Sequence, residues 1–293
     1  MDWNSRRVTA IIEHALLEDN AHRDATTRAC IDARQQAVAT LIAKQDCVLA
    51  GVDAIPRIFS VFSQLDTSAA RTYAEISVHP EIFDGVRLHK GQTVAVIRHN
   101  ARIILSCERV LLNIIQRLSG IATLTRQFVE AIAGTNARIL DTRKTVPGLR
   151  LLDKYAVTCG GGHNHRLDLS DGVLIKNNHI ALAGGLVPAL RAALMHRTGE
   201  QMVEVEVRTF AELEEALDNG ASAILLDNMT AAEIARCVER TRREQRHVSL
   251  EASGGINLEN VRSYAEAGVD FISVGALTHS VKAIDMSLRV QPA

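Results

Sequence analysis

The chain has 293 residues, enough for two domains or for one domain of barrel size. Its 33 lysines and arginines balance 34 aspartates and glutamates, and this near-neutrality gives no general electrostatic reason to bind nucleic acid or an anionic membrane. No apolar run reaches transmembrane length, and the N-terminus lacks the apolar segment of a secretory signal. The five scattered cysteines predict free thiols in a reducing compartment, which we take to be the cytoplasm.

The first part of the chain mixes two kinds of pattern. Apolar residues recur at helical spacing over residues 8–17, and alternating or β-branched runs follow at 37–42, 72–78 and 93–97. Glycines and prolines separate these runs, as expected of turns. We therefore predict an α+β domain over residues 1–115.

A long helical pattern follows over residues 102–133, where apolar residues recur every three to four positions. Gly120 is expected to break this helix into two, because glycine is a weak helix former. We place the domain boundary close by, after residue 115. The tail 280–293 follows the last strand pattern, and we allow for its packing back on the first domain.

From residue 137 onward, nearly continuous apolar strands alternate with amphipathic helices. This rhythm is typical of a parallel sheet that is buried on both faces, and it predicts an α/β barrel over 116–279, complete or one or two strands short. A doubly wound open sheet is the alternative, but no G-x-G-x-x-G motif follows the first strand to favour its nucleotide-binding version. The predicted strands are 137–140, 172–176, Val203–Val207, Ala223–Asp227, 248–253 and 270–275, and the predicted helices are 186–193, 211–217, 231–241 and 258–267.

Glycine-rich turns follow the last two predicted strands. Ser253-Gly254-Gly255 and Gly275-Ala276 offer backbone N–H groups with little side-chain obstruction, each just before a helix. The loops after the last two strands of a barrel are a common phosphate site. Paired glycine turns at these two places favour phosphate binding over the simpler explanation, which is that glycine only permits a tight turn.

Cationic residues from three separate segments are predicted to converge at the same end of the barrel. They are Arg143 and Lys144, His165 and Arg166, and Lys176. Arginine captures carboxylates and phosphates with two hydrogen bonds, and lysine acts as a point charge. The cluster therefore predicts a ligand with several negative charges. The alternative is that these residues are separate solvated charges on the surface, which bind no ligand.

Glu206 and Asp227 form an acidic pair on neighbouring predicted strands. Carboxylates beside bound phosphates are useful if they hold ribose hydroxyls, bind Mg²⁺ together with pyrophosphate, or stabilise a developing cation. Two structural carboxylates with satisfied partners are the alternative. Glu204 shares a strand face with Glu206, so the pattern does not distinguish the two.

Several motifs occur in a fixed order along the chain. DTRKTVPGLR at 141–150, CGGGHNHR at 159–166 and LIKNNH at 174–179 are followed by LLDN at 225–228, EASGG at 251–255 and SVGALT at 273–278. Together they closely resemble the quinolinate phosphoribosyltransferase family, although residues 1–90 match it in layout more than in motif. The resemblance implies an N-terminal α+β sandwich domain and an incomplete α/β barrel. It also implies an NAD-biosynthetic reaction in which quinolinate and phosphoribosyl pyrophosphate (PRPP) give nicotinate mononucleotide, pyrophosphate and CO₂ with Mg²⁺.

The resemblance also implies roles for individual residues. Lys144, Glu206 and Asp227 are expected to be catalytic, and the two carboxylates to hold Mg²⁺ directly or indirectly. Arg109 is expected to enter the partner subunit's site, which makes a homodimer the smallest active unit and leaves a higher oligomer open. The residues expected to bind quinolinate and PRPP are Arg143, His165, Arg166, Lys176, Ser253, Gly254, Gly275 and His279.

The sequence departs from the family pattern at two positions and leaves alternatives open. Asn177 stands where an acidic residue is usual, beside Lys176, and Asp168 stands where glycine is expected. Phosphoribosyltransferase-like proteins associated with molybdenum transport share many of the motifs and act on another acceptor. Lys176 at a strand end would also suit a Schiff-base aldolase, and the turn at Lys90 faintly resembles a biotinyl or lipoyl carrier domain.

Overall fold

The computed structural model describes residues 1–65, 73–243 and 247–293, and the chain divides into two compact units. The first unit comprises Met1–Leu124, Val146–Gly161 and Val281–Ala293, and the second comprises Thr125–Thr145 and Gly162–Ser280. This division differs from the predicted boundary after residue 115, because the chain leaves the first unit and returns to it. No helix in the described parts of the chain is both long and apolar enough to cross a membrane.

The first unit contains a four-stranded antiparallel sheet and a two-stranded one, packed with helices. Numbered in chain order, its helices are α1 (Arg6–Glu18), α2 (Ala25–Cys30), α3 (Ala54–Leu65), α4 (Ala101–Ala131, which continues past this unit) and α5 (Arg150–Cys159). Its strands are β1 (Gln36–Ala43), β2 (Cys47–Val48), β3 (Glu75–Ser77), β4 (Arg87–Leu88), β5 (Thr93–Asn100) and β12 (Met286–Pro292).

The larger sheet has the strand order β12-β1-β5-β3, and β2 pairs with β4. Every second residue of β1 is buried from Ala37 to Ala43, so one face of the sheet carries the core and the other is more open. The strands predicted at 37–42 and 93–97 are present as β1 and β5. The run predicted at 72–78 is shorter, since only Glu75–Ser77 pairs as a strand, and its first residue lies outside the described residues. Helices α3 and α5 were not predicted.

Helix α4 is continuous over 31 residues, so the predicted break at Gly120 is wrong. A Cβ atom at position 120 would lie only 2.4 Å from the backbone oxygen of Lys282 and 3.2 Å from Cγ2 of Val281. Glycine is therefore required here because another segment of the first unit passes against the helix. Its role is close packing rather than bending.

The second unit is a parallel six-stranded sheet whose strands alternate with helices. Its strands are β6 (Arg138–Leu140), β7 (Val173–Ile175), β8 (Val203–Val207), β9 (Ala223–Asp227), β10 (Ser249–Ser253) and β11 (Phe271–Ser273). Its helices are α6 (Asn177–Leu182), α7 (Leu186–His196), α8 (Phe210–Asp218), α9 (Ala231–Arg243), α10 (Val261–Glu266) and α11 (Ala276–His279).

The strand order β6-β11-β10-β9-β8-β7 defines an incomplete barrel. Strands β7 to β11 neighbour one another in chain order, but β6 pairs with the last strand rather than with β7. The sheet therefore curls round with one opening, between β6 and β7, which confirms the predicted incomplete α/β barrel. All five residues of β8 are buried, as expected of a strand covered on both faces.

Residues 163–166 span the opening of the barrel. His163 forms a parallel bridge with Leu140 of β6. On the other side, the Arg166 guanidinium donates a 2.8 Å hydrogen bond from Nη1 to the carbonyl of Gly172, just before β7. This segment thus ties the two edge strands together without forming a further strand.

Replacing Gly120 with alanine tests the packing role of this glycine. Alanine favours an exposed helix by about 1 kcal/mol over glycine, but here its methyl group would collide with the backbone of Lys282. We expect Gly120→Ala to lower the free energy of unfolding by about 1–3 kcal/mol, as overpacking does, measured as a drop in the thermal unfolding temperature.

Gly172→Ala is the matched control for Gly120→Ala. A Cβ atom at position 172 meets only Met202, whose backbone oxygen lies 3.7 Å away, an ordinary contact. This variant should unfold within a degree or two of the wild type. A Gly120→Ala protein that is as stable as this control would contradict the packing role.

Candidate active site

A cavity of about 430 Å³ lies at the carboxyl ends of the barrel strands. It brings together the three groups of residues singled out in the sequence, which come from six strand ends and from the segment 163–166. Their common location agrees with the prediction, while the role of each residue stays a prediction. The predicted residues that line it are Arg143, Lys144, His165, Arg166, Lys176, Glu206, Asp227, Ser253, Gly254, Gly275 and His279.

Arg109 does not line this cavity. It is exposed on α4 in the first unit, where it borders a separate cavity of about 360 Å³ together with Glu18, Asp19 and Arg117. Its predicted action in the site of a partner subunit therefore stays a prediction.

The two unusual residues at family positions also lie outside the lining of the barrel cavity. Asp168 accepts hydrogen bonds from the backbone N–H and the hydroxyl of Ser170, at 2.9 and 2.6 Å, so it shapes a turn. Asn177 is the first residue of α6, directly after Lys176. Neither residue replaces a cavity-lining side chain.

Two glycine turns form one wall of the cavity. Gly254 has a φ of +95°, and a Cβ atom there would lie 2.4 Å from Oδ1 of Asn228. A Cβ atom on Gly275 would lie 3.1 Å from both Cδ of Lys144 and Nε2 of His279. A side chain is excluded at Gly254, and at Gly275 it would press against the mobile ends of Lys144 and His279, so backbone groups are the surface that a ligand meets at both turns.

Two arginines concentrate positive charge in the cavity. Burial lowers the pKa of Arg166, and the nearby charge of Arg143 lowers it further, while Glu204 and Asp171 act in the opposite direction. A guanidinium group nevertheless stays protonated at any physiological pH. The two cations therefore repel each other until an anion binds, which suits a ligand with more than one carboxylate or phosphate.

Arg208 connects the two members of the acidic pair. Its Nη2 lies 3.6 Å from Oε1 of Glu206, and its Nε donates a 3.2 Å hydrogen bond to Oδ2 of Asp227. Burial and the charge of Asp227 raise the pKa of Glu206. Arg208 was not among the predicted residues, although its position directly after β8 is the kind of place that the strand-end argument highlights.

The acidic pair fits a magnesium ion. Glu206 and Asp227 offer only carboxylate oxygens, the ligands that Mg²⁺ prefers. Burial is the main cause of the raised pKa of Glu206, and the charge of Asp227 adds to it; a divalent cation would relieve this second contribution.

His165 lies between two buried carboxyl groups. Its Nε2 is 3.2 Å from Oε2 of Glu204 and 3.6 Å from Oε2 of Glu251, and these glutamate side chains are only 6% and 4% exposed. Burial, followed by the charge of Glu204, raises the pKa of Glu251 to about 8. The structure thus separates the two glutamates of β8, because Glu204 joins this buried cluster and Glu206 joins the pair at Arg208.

Glu251 was not identified as a site residue in the sequence. It lies two residues before Ser253 on β10, so the two share a face of the strand by alternation. The signal that could have found it is a glutamate between the apolar residues Leu250 and Ala252 of a predicted barrel strand. Alternation alone does not show that its partners are Glu204 and His165.

The raised pKa of Glu251 makes a prediction about stability. The ordinary pKa of a glutamate is 4.5, whereas the fold raises the pKa of Glu251 to about 8. Between these two pH values the unfolded chain ionises Glu251 and the folded protein does not, so the free energy of unfolding falls as the pH rises. Glu251→Gln removes this ionisation. The unfolding temperature of the variant should therefore rise relative to that of the wild type across this range, measured by thermal unfolding at a series of pH values.

Glu259→Gln, at an exposed position, is the matched control for the amide substitution. A constant difference between Glu251→Gln and the wild type at every pH would show that Glu251 does not titrate in this way.

Known families match both parts of the chain. The model described as "Quinolinate phosphoribosyl transferase, N-terminal domain" matches residues 24–119, and the one for the C-terminal domain of the same enzyme matches residues 121–289. Together they cover most of the sequence, including every strand of the barrel.

Individual relatives are similar over nearly their whole length. The chain is 40% identical over 287 residues to a probable nicotinate-nucleotide pyrophosphorylase (carboxylating) of Bacillus subtilis, covering 98% of this chain and 94% of the relative. It is 41% identical over 278 residues to the enzyme of that name from Mycobacterium leprae, covering 94% and 95%. The solved structure of NadC from Streptococcus pyogenes superposes with a TM-score of 0.90 at 37% identity, covering 100% of this chain and 99% of that one.

The incomplete barrel and its charged, glycine-walled cavity are features of an enzyme whose substrates carry phosphate and carboxylate groups. The family matches make the assignment specific. The chain belongs to the quinolinate phosphoribosyltransferase family, which confirms the resemblance seen in the sequence.

Proposed function

We propose that this chain transfers the phosphoribosyl group of PRPP to the ring nitrogen of quinolinate, with loss of CO₂. The products are nicotinate mononucleotide, which serves NAD biosynthesis, and pyrophosphate. The observation that carries the proposal is the convergence of paired arginines, an acidic pair and two glycine turns on one cavity. Curated relatives named as nicotinate-nucleotide pyrophosphorylases (carboxylating) support it.

The arginine-rich side of the cavity suits quinolinate, whose pyridine ring carries two adjacent carboxylates. We assign these carboxylates to Arg143 and Arg166, with Lys176 and His165 beside them. Guanidinium groups bind carboxylates through two parallel hydrogen bonds, which fixes the plane of the ring as well as its position. A substrate with one carboxylate would leave part of this positive charge unpaired.

The glycine-walled side suits the 5′-phosphate of PRPP. We assign this phosphate to Ser253, Gly254 and Gly275, with His279 near it and Lys144 toward the reacting carbon. Turns without side chains let a phosphate approach the backbone N–H groups closely. The excluded Cβ position at Gly254 and the crowded one at Gly275 support this assignment.

The acidic pair suits the reacting sugar. Departure of pyrophosphate leaves positive charge on the anomeric carbon, and the carboxylates of Glu206 and Asp227 stabilise charge of that sign. We propose that the same two residues hold Mg²⁺, directly or through water. When bound, this ion neutralises the leaving pyrophosphate.

Decarboxylation follows from the new bond without a further cofactor. Once the ring nitrogen of quinolinate carries the ribosyl group, it is positively charged. The bond between C2 and its carboxylate then breaks, CO₂ leaves, and the electron pair stays on C2 beside the cationic nitrogen. C2 takes up a proton, which gives nicotinate mononucleotide.

A direct assay tests the proposal. Purified protein incubated with quinolinate, PRPP and Mg²⁺ should form nicotinate mononucleotide and CO₂ in equal amounts, and nicotinate in place of quinolinate should give little product. A chelator should stop the reaction. Asp227→Asn should lower kcat by about 10²-fold or more, because it removes a charge that acts on the transition state.

Two outcomes would count against the substrate assignment. Equal turnover of nicotinate would show that the second carboxylate is not recognised. No product from either acid, with PRPP still bound, would leave the phosphate site intact and point to another acceptor, as in the molybdenum-associated relatives.

We further propose a homodimer in which Arg109 of one protomer completes the cavity of its partner, in a cytoplasmic enzyme whose five cysteines are free thiols. The position of Arg109, exposed and remote in sequence from the barrel strands, supports an action on another protomer. Arg109 would then add a third guanidinium group for the acid substrate or the pyrophosphate.

Mixing two inactive variants tests the shared site. Arg109→Ala and Lys176→Ala should each be nearly inactive, but co-expressed chains should recover about a quarter of the wild-type activity. Random pairing makes about half of the dimers mixed, and each mixed dimer has one intact site. No recovery, despite mixed dimers detected by mass spectrometry, would show that Arg109 acts within its own chain or not at all.

A further inference from the structure

His165 is held at three points of the barrel interior. Its backbone N–H donates a 2.9 Å hydrogen bond to Oδ1 of Asp141, which is fully buried after β6. Its ring Nδ1 accepts a 2.7 Å hydrogen bond from the backbone N–H of Arg166. Its Nε2 faces Glu204 of β8 and Glu251 of β10. The backbone and the side chain of one residue thus connect segments on both sides of the barrel opening.

These contacts select one form of the imidazole ring. A ring nitrogen that accepts a hydrogen bond carries no proton, so this contact favours the neutral ring with its proton on Nε2. In that form Nε2 donates its proton to Oε2 of Glu204, 3.2 Å away. The form of the ring is therefore set by its partners on both sides.

Glu251 completes the cluster from the other side. Its Oε2 lies 3.6 Å from Nε2 of His165, and its Oε1 is buried and has no hydrogen-bond partner among the described residues. A second negative charge in this buried place would be costly beside Glu204. Glu204 and Glu251 therefore share the single N–H of the His165 ring, and the neutral form is favoured at Glu251.

The orientation of His165 bears on the residue that follows it. The backbone N–H of Arg166 is bonded to the His165 ring, and the Arg166 guanidinium is bonded to Gly172 across the barrel opening. Arg166 also lines the cavity. A ring that turned away from Glu204 would release the Arg166 backbone and shift its guanidinium group.

We propose that Glu204 and Glu251 are positioning residues, which hold His165 in its neutral form with the proton on Nε2 and thereby fix Arg166 toward the acid substrate. The kinetic consequence rests on the proposed function, whereas the form of the ring is a property of the protein alone. Neither glutamate needs to contact a substrate for this role.

Steady-state kinetics test the positioning role. Glu204→Ala should raise the KM for quinolinate by about tenfold or more, while the KM for PRPP and kcat change by less than about threefold, since the lost alignment affects binding of the acid only. Glu204→Gln should restore most of the affinity, because an amide oxygen accepts the same hydrogen bond from Nε2. Glu251→Ala should likewise raise the KM for quinolinate, and Glu251→Gln should restore part of the affinity, because an amide keeps a hydrogen-bonding group beside Nε2.

Asp270→Asn is the matched control. This carboxylate also accepts a backbone hydrogen bond in the barrel, from Leu250 at 2.8 Å, and it pairs with Arg242. It does not line the cavity. Its replacement should leave both KM values unchanged, so that a general loosening of the barrel is distinguished from loss of the His165 contacts.

Nitrogen NMR of the imidazole rings tests the form of the ring without substrates. Protein labelled with ¹⁵N should show His165 with a protonated Nε2 and an unprotonated Nδ1 at neutral pH, assigned by its absence in His165→Gln. Glu204→Ala should lose this single form. This measurement stands even if no phosphoribosyl transfer is detected, so failure of the proposed function is distinguishable from failure of the positioning role.

Several results would overturn the proposal. An imidazolium ion or an Nδ1-protonated ring in the wild type would contradict it, as would Glu204→Ala raising both KM values equally. Failure of Glu204→Gln to restore affinity would show that the charge of Glu204 matters rather than its hydrogen bond. The nitrogen of His165 and the carboxylate oxygens of Glu204 and Glu251 also lie within 4.8 Å of one another. A bound metal found by elemental analysis, together with loss of the Nε2 proton, would show that these residues coordinate a metal, and it would overturn the positioning role.

Discussion

The cavity depends on the balance of charges among groups that the barrel buries partly or fully. Charged groups in such a place are costly unless each has an opposite charge or a hydrogen-bond partner. Arg166 is balanced by Glu204 and Asp171, and Arg208 bridges Glu206 and Asp227. The repulsion between Arg143 and Arg166 remains, and an anionic ligand would neutralise it.

The opening of the barrel explains why the short segment 163–166 contributes two side chains to the cavity. A closed barrel would place only strand ends at the cavity. Here residues 163–166 cross the gap between β6 and β7, so two further side chains, His165 and Arg166, reach the interior from a segment that is not a strand. The incomplete barrel therefore gains two polar side chains in its cavity at the place where a closed barrel would have another strand.

Much of this was predictable from the sequence, because strands buried on both faces are continuous apolar runs and their ends mark the active site. The limits have physical reasons. Period-two alternation shows which face of the sheet a residue occupies but not how far along the barrel it lies. The sequence therefore did not show which of Glu204 and Glu206 pairs with Asp227. Gly120 was taken as a helix break because its partner, Lys282, is remote in sequence. The raised pKa of Glu251 and its contact with His165 depend on residues of other segments, which its own strand does not reveal.

The pairing of β1 with β12 has a consequence for how the protein folds. Ala37 lies opposite Pro292 and Ala43 opposite Met286, so an edge of the first sheet is supplied by residues made almost a whole chain length later. During synthesis, every strand of the barrel leaves the ribosome before this edge strand does. Contacts so distant in sequence slow folding and leave the edge of β1 open to wrong pairing in the meantime. The first sheet to begin forming is thus the last to be completed.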